Sequence, residues 1–388
     1  MAGIEKFLAE RREKNLLRVL RPAGFRRKGK IYFKDKEYFD FSSNDYLGLA
    51  GHPELKEASK KAVEELGTSS SASRLLSGDL EIHHELEEKV ADLKGKGSAL
   101  VFNSGYQANV GVISSLCKAG DAVFSDKLNH ASILDGIFLS GARLFRFLHN
   151  DVNHLESLLK SQAGKFRECL IITETIFSMD GDRAPLKELV ALKDKFGCKI
   201  MADEAHATGI FGKDGSGVVA EDDLTDRVDL IMGTFGKALG SFGAYVAGSK
   251  KMIEYLINTC RSFIYTTALP PSVIAANLAA LELLRKEPFR RKTLLENATY
   301  FRDELRKRGF NVRGASQIVP LIVDDTDRAV ALSAGLGGKG YWVLPIRPPT
   351  VPAGESRLRF SLSWHHNKEV LQDLIEEISR ETIKWTDG

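Results

Sequence analysis

Long apolar runs are missing from this chain. No stretch approaches the about 18 to 20 consecutive apolar residues that a membrane-spanning helix needs. The longest candidate, residues 272–284, contains Asn277 and Glu282 and is read as a core helix. Cysteine is scarce: Cys117, Cys169, Cys198 and Cys260 stand far apart and form no Cys-x-x-Cys pair. That excludes a disulfide framework, and the four are read as reduced, mostly buried thiols of a cytoplasmic protein. An excess of one charge is missing too. With 55 basic and 52 acidic residues interspersed, no broad field draws the chain to nucleic acid or to a membrane surface. There is no fixed-period repeat. The phosphate loop GxxxxGK[ST] is also absent, so Asp203-Glu-Ala-His206 is not a helicase-type nucleotide box.

What is present suits an ordinary globular protein of more than one lobe: 388 residues, 43% hydrophobic and 28% charged. The first 22 residues are basic and roughly amphipathic (Ile4, Phe7, Leu8, Leu16, Leu17, Leu20). Glu5, Glu10 and Glu13 and the lack of an apolar signal core favour a docking helix over a targeting peptide. Short strand patterns at 30–33 and 38–41 flank a turn at Lys34-Asp35-Lys36. From about 53 to 290, helical patterns such as 81–93 and 186–196 alternate with short apolar runs at 99–102, 122–124, 170–173, 200–202, 230–232 and 244–247. That alternation predicts an α/β domain with a central, mainly parallel sheet covered on both faces. Long charged helices and separate strands at 319–323, 341–344 and 357–361 then predict a smaller α+β C-terminal domain. The expected segments are 1–50 (helix and short strands), 51–288 (large domain) and 289–388 (small domain).

In such a sheet, ligands bind beyond the carboxyl ends of the strands. Two residues there suggest chemistry. Lys237 sits in Thr234-Phe-Gly-Lys-Ala-Leu-Gly240 after one apolar run, and Asp203 ends another. An amine for an aldehyde and an acid for a pyridinium nitrogen are what pyridoxal 5′-phosphate (PLP) requires. His206 is placed to bond that carboxylate or the cofactor's phenolic oxygen. Ser104-Gly105-Tyr106 runs from a strand into a helix, whose N-terminus suits a phosphate as well as being an ordinary capped start. His130 could stack on a flat ring or be structural, and Glu174 and Ser178 face the same sheet mouth. Arg347, on the rigid Pro345-Ile-Arg-Pro-Pro-Thr-Val-Pro352 loop, suits a carboxylate or a surface ion pair. Gly335-Leu-Gly-Gly-Lys-Gly340 matches GxGxxG but follows a helix and precedes a strand, so it is a helix end rather than a dinucleotide site. His83-His84 lacks HExxH spacing and a third ligand, so no metal site is assigned.

Taken together these segments resemble the α-oxoamine synthases, PLP-dependent enzymes of fold type I. The resemblance runs from about residue 15 almost to the end, through Phe41-Ser-Ser-Asn-Asp-Tyr-Leu-Gly-Leu49, Phe102-Asn-Ser-Gly-Tyr-Gln-Ala-Asn109, Asn129-His-Ala-Ser132, Phe177-Ser-Met-Asp-Gly-Asp182, Asp203-Glu-Ala-His206, Thr234-Phe-Gly-Lys237, Ile264-Tyr-Thr-Thr-Ala-Leu-Pro-Pro271 and Ile346-Arg-Pro-Pro-Thr-Val-Pro352. It implies that Lys237 holds PLP covalently and shuttles protons, that Asp203 pairs with the pyridine nitrogen and that His130 stacks on the ring. Ser178 and His206 would contact the phenolic oxygen, and Gly105, Tyr106 and Thr234 the phosphate. Asn44 and Arg347, with Thr350 nearby, would bind the amino-acid substrate, and Arg18 the acyl substrate. The family is dimeric, with Thr266 or Thr267 reaching the partner's phosphate. The implied reaction joins L-alanine to pimeloyl-CoA or a pimeloyl-acyl carrier protein, with loss of carbon dioxide. The same chemistry on glycine, or a non-catalytic PLP-binding protein, are the alternatives. One departure is Thr68-Ser-Ser-Ser-Ala-Ser-Arg-Leu-Leu-Ser-Gly78, where family members often carry several glycines. Arg74 is the residue expected to compensate there by contacting the thioester.

Overall fold

The computed structural model describes residues 2–14, 16–34 and 36–383. The turn expected at Lys34-Asp35-Lys36 is therefore described except for Asp35, which lies outside those residues. In chain order the strands are β1 (Phe25–Arg27), β2 (Lys30–Phe33), β3 (Lys36–Asp40), β4 (Ser98–Phe102), β5 (Ala122–Asp126), β6 (Arg143–Phe147), β7 (Cys169–Glu174), β8 (Lys199–Asp203), β9 (Leu230–Thr234), β10 (Ala244–Gly248), β11 (Ile318–Asp324), β12 (Tyr341–Trp342), β13 (Pro345–Ile346) and β14 (Ser356–Ser361). Contacts divide the chain into two units. One contains residues 47–178 and 183–291; the other contains 1–46, 179–182 and 292–388.

The larger unit carries a seven-stranded sheet in the order β4-β10-β9-β8-β7-β5-β6. Strands β5 to β9 run parallel, as expected from their apolar runs. Burial on both faces is why β7 and β8 are apolar almost throughout, without the alternation of a half-exposed strand. The apolar pattern could not reveal strand direction, and β10 is antiparallel to both its neighbours, β4 and β9. Its reversal leaves β4 pointing the same way as the parallel set. The carboxyl ends of β4, β5, β7, β8 and β9 therefore share one edge. Strand β6 was not anticipated because Arg143-Leu-Phe-Arg-Phe147 is a half-exposed edge with charges between its apolar residues. Phe102, Val112, Ile133, Leu170, Met201 and Met232 form part of the core packed on this sheet.

The smaller unit has two sheets, β1-β2-β3-β12 and β11-β14-β13. The strand expected over 341–344 is split: β12 ends at Trp342 and β13 begins at Pro345. Proline lacks an amide hydrogen, so it belongs at the edge position that β13 occupies. Gly335, Gly337 and Gly338 lie inside the helix Thr326–Gly338, and Gly340 makes the turn at φ +91°. The GxGxxG match is thus the end of a helix, which runs four residues beyond its expected limit at 334.

His366 is a pH-sensitive group of this unit. It is fully buried, stacks on Phe41 with centroids 4.0 Å apart, and accepts from the Ser363 amide at 3.1 Å. Burial drives its pKa down to about 3. The unfolded chain takes up a proton near pH 6.5, which the folded chain refuses until about pH 3. Stability contributed by the neutral ring is therefore complete above about pH 6.5 and is lost as pH falls through that window. His366→Asn is expected to flatten the loss of urea midpoint between pH 7 and pH 4.5. A slope identical to that of the unaltered chain would refute this.

Candidate active site

The shared strand edge of the larger unit gathers the chemistry. Glu174 ends β7 and Asp203 ends β8, and the two are register partners. Side chains at paired positions in adjacent parallel strands lie on the same face, so the two carboxyls are neighbours in a dry place, 3% and 4% exposed. The Asp203 carboxylate accepts from Asn109 Nδ2 at 3.0 Å and from the Ala205 amide at 2.9 Å. Glu174 accepts from the Ser178 amide at 3.2 Å, while its Oε1 is buried without a hydrogen-bond partner. Burial first, then repulsion from Asp203, pushes Glu174 up to about 8, against a smaller pull from Lys237. A proton retained on Glu174 spares Asp203 a second negative charge beside it.

His130 caps the helix Ala131–Ser140 and bonds Ser132 Oγ through Nδ1 at 2.8 Å. Desolvation lowers its pKa, and Lys237 adds to the lowering while Asp203 opposes it. A neutral imidazole results at neutral pH, on a residue that remains exposed. Ser132 in turn accepts from Asn109 at 3.0 Å. Asn109 thus ties the Asp203 carboxylate to the His130 cap, a link that sequence reasoning missed. It lies four residues after Gly105, one helical turn along the same face. A lone amide on an otherwise apolar buried helix face was the available signal.

Gly105 opens the helix Gly105–Leu116, which Ser104 caps by accepting from the Gln107 amide. A Cβ on Gly105 would lie 2.8 Å from Thr234 Cγ2, so only glycine leaves room between the helix N-terminus and the end of β9. Free N–H groups and the positive dipole end face that space. Thr234 is half-buried, and its hydroxyl faces the Ala205 carbonyl at 3.5 Å. Lys237, half-buried, follows in a turn closed by Gly240 N–H to the Lys237 carbonyl at 3.0 Å. Gly240 has φ +63° and packs so closely on Leu49 and Ala50 that a side chain would collide. His206 is buried two residues beyond Glu204. Ser178 is half-buried after β7. Asp203, His206, Lys237, His130, Ser178, Gly105 and Thr234 all belong to this one strand edge. Tyr106 is half-exposed, and its hydroxyl bonds Asp135. Thr266 accepts from Asn103 Nδ2 at 3.2 Å, and Thr267 is exposed and gives its carbonyl to the same amide.

Arg74 is paired within the larger unit. Its guanidinium grips Glu87 with two parallel bonds of 2.9 and 3.0 Å and also bonds Asp79. These two carboxylates hold the fork in place beside the serine-rich loop. Around it, Ser71 takes φ +59°, so one non-glycine residue of the serine-rich loop adopts the left-handed region.

The remaining expected residues belong to the smaller unit. Asn44 Oδ1 accepts from Tyr46 at 3.0 Å and faces both terminal nitrogens of Arg359 at 3.4 Å. A guanidinium can only donate, which assigns the amide oxygen of Asn44 to that side. Arg359 was not singled out by sequence. Arg347 is half-buried, with its pKa lowered by burial. Thr350 and Arg18 are exposed.

The chain belongs to the class I and II aminotransferase family, whose model matches residues 36–378. Its fold is that of the type I PLP-dependent enzymes. Among particular relatives, it is 48% identical to the 8-amino-7-oxononanoate synthase of Geobacter sulfurreducens over 96% of each chain. A solved serine palmitoyltransferase from S. paucimobilis with bound PLP and myriocin matches with a TM-score of 0.90 and 31% identity, covering 98% of this chain and 96% of that one. The solved 8-amino-7-oxononanoate synthase of Francisella tularensis gives 0.79 at 30% identity, covering 90% and 99%.

Proposed function

We propose that this chain is a PLP-dependent acyltransferase that condenses L-alanine with pimeloyl-CoA or a pimeloyl-acyl carrier protein. The products are 8-amino-7-oxononanoate, carbon dioxide and the free thiol, a step of biotin biosynthesis. The observation that carries the reading is one strand edge holding Lys237 together with a buried, doubly hydrogen-bonded Asp203 carboxylate. The 48% identity to the Geobacter sulfurreducens synthase over 96% of each chain favours alanine and a pimeloyl donor.

The residues suit the cofactor on the chain's own geometry. Gly105 leaves a cradle that any side chain would fill, at a helix end where phosphate is favoured. Asp203 offers a carboxyl acceptor for a pyridinium N–H, and the exposed, neutral His130 ring offers a stacking surface without charge repulsion. When bound, the cofactor supplies an electron sink for a carbanion at the amino-acid Cα.

Lys237 would hold the cofactor and, as a free amine, would take the Cα proton of alanine and return a proton to the product after carbon dioxide leaves. Asp203, oriented by Asn109 and the Ala205 amide, would pair with the ring nitrogen. His206 and Ser178 are assigned to the phenolic oxygen, and Gly105, Tyr106 and Thr234 to the phosphate. Thr266 or Thr267 serves the phosphate of a partner subunit. Asn44 and Arg347 bind the alanine carboxylate, with Thr350 alongside, and Arg18 attends the acyl donor. Segments 51–288 and 289–388 are taken as the cofactor-binding and small domains, with 1–50 as an N-terminal arm. A cytoplasmic homodimer is proposed. Exposed Phe138, Leu139 and Tyr265 suit a second copy, and the four free, buried cysteines suit a reducing compartment. Among the described residues no helix is long and apolar enough to cross a membrane.

The test is thiol release from a panel of acyl thioesters mixed with L-alanine, glycine or L-serine. Release is expected with L-alanine and pimeloyl thioester. Turnover confined to glycine with acetyl-CoA, or to serine with palmitoyl-CoA, would overturn the substrate assignment.

A further inference from the structure

Behind the strand edge lies a second polar cluster that the chemistry above does not use. Lys94 and Glu204 are wholly buried and paired at 2.6 Å. Each proton of the Lys94 ammonium has an acceptor: Glu204 Oε2, Thr208 Oγ1 at 3.0 Å and the Ser216 carbonyl at 2.5 Å. The other oxygen of Glu204 accepts from the Val219 amide at 2.8 Å. Thr208 also bonds the Tyr245 hydroxyl at 2.8 Å, and the ammonium lies over the Tyr245 ring. Burial alone would lower the pKa of Lys94, but Glu204 and Tyr245 outweigh it and hold the ammonium charged.

The cluster touches both strands that deliver the reacting groups. Glu204 directly follows Asp203 and precedes His206 by two residues, and its amide donates to the Met232 carbonyl of β9 at 2.7 Å. Gly233 follows Met232 and precedes Thr234. A Cβ on Gly233 would collide with the Tyr245 hydroxyl and lie 2.9 Å from Thr208 Oγ1. Gly217 is pressed against the Glu204 carboxylate in the same way. The ends of β8 and β9 are thus set against one ion pair. No part of it shows in the carboxylate and amine that face the site.

A buried pair contributes little net stability over an apolar replacement, yet breaking it leaves a costly unpaired charge. Its bonds to both strand ends give it a second role beside stability. We propose that Lys94 and Glu204 are positioning residues that fix the spacing of Asp203 and His206 against Thr234 and Lys237, and so set the affinity for PLP. This inference rests on the PLP reading given above.

The experiment measures the PLP dissociation constant by absorbance and by cofactor-dependent Tm. The variants are Lys94→Met, Lys94→Met with Glu204→Gln, and the remote core substitution Leu159→Ala as a stability control. The glutamine can still accept from the Val219 amide and leaves no unpaired ion. Lys94→Met is expected to weaken PLP at least tenfold. The double variant should recover most of the lost Tm while staying at least fivefold weak, and Leu159→Ala should lower Tm without loosening PLP. Wild-type affinity in the double variant, or loosening by Leu159→Ala equal to that by Lys94→Met, would overturn the proposal. Failure of the unaltered chain to take up PLP would instead defeat the cofactor reading on which it rests.

Discussion

Lys237→Ala is expected to lower condensation activity on the order of 10⁴-fold, the upper end for losing a positioned proton-transfer group. The magnitude is large because one amine has two duties, anchoring the cofactor and moving the Cα proton. Nothing nearby replaces it. Among the described residues, Lys94 is the one fully buried lysine of the larger unit, and all three of its protons are committed to Glu204, Thr208 and Ser216. The variant should purify without a yellow, borohydride-reducible adduct. It should still bind PLP reversibly, because the Gly105 helix end and Asp203 are untouched. Adding a small primary amine should restore a fraction of proton transfer. A normal reducible adduct in Lys237→Ala would end the assignment.

Asp203→Asn is expected to cost about 10²- to 10³-fold in kcat, the scale for removing one preorganised electrostatic partner from a dry site. The charge is what matters, since asparagine keeps the shape and can still accept from the Ala205 amide. Asn109 would then face a neutral amide, and the Coulombic support that Asp203 gives to a protonated His130 would vanish. Repulsion on Glu174 would also be relieved, so its carboxyl should ionise at a lower pH than about 8. The signature is therefore double: a large kcat loss with modest change in PLP affinity, and an acid-shifted titration in the difference spectrum. Unchanged kcat would remove Asp203 from the mechanism, and a purely structural lesion would instead appear as cofactor loss.

The sheet and the main acid–base pair were legible in the sequence for one reason. A buried parallel strand must be apolar on both faces, so its end is marked wherever a polar residue such as Asp203 or Thr234 appears. The same rule hid two other features. Strand β10 is as apolar as its neighbours, and only its hydrogen bonds to β4 and β9 reveal that it runs backwards. Strand β6 is an exposed edge with arginines in it, so no continuous run announced it. Asn109 and Arg359 escaped because their meaning lies in partners far along the chain: Asp203 for one, Asn44 and Tyr46 for the other. The pairing of Arg74 with Glu87 and Asp79 likewise went unread in the sequence.

Local sequence settled which residue types stand at the strand ends, because apolar runs, glycine turns and helix caps are short-range matters. It therefore determined that an amine, an acid and a phosphate-suited helix start exist in this chain. Tertiary structure alone decided what surrounds them: that Glu174 lies beside Asp203, that Asn109 joins Asp203 to the His130 cap, and that Lys94 neutralises Glu204 beneath them. Ionisation depends on the charge and dryness of the neighbourhood, and those neighbours come from strands and helices remote in the chain.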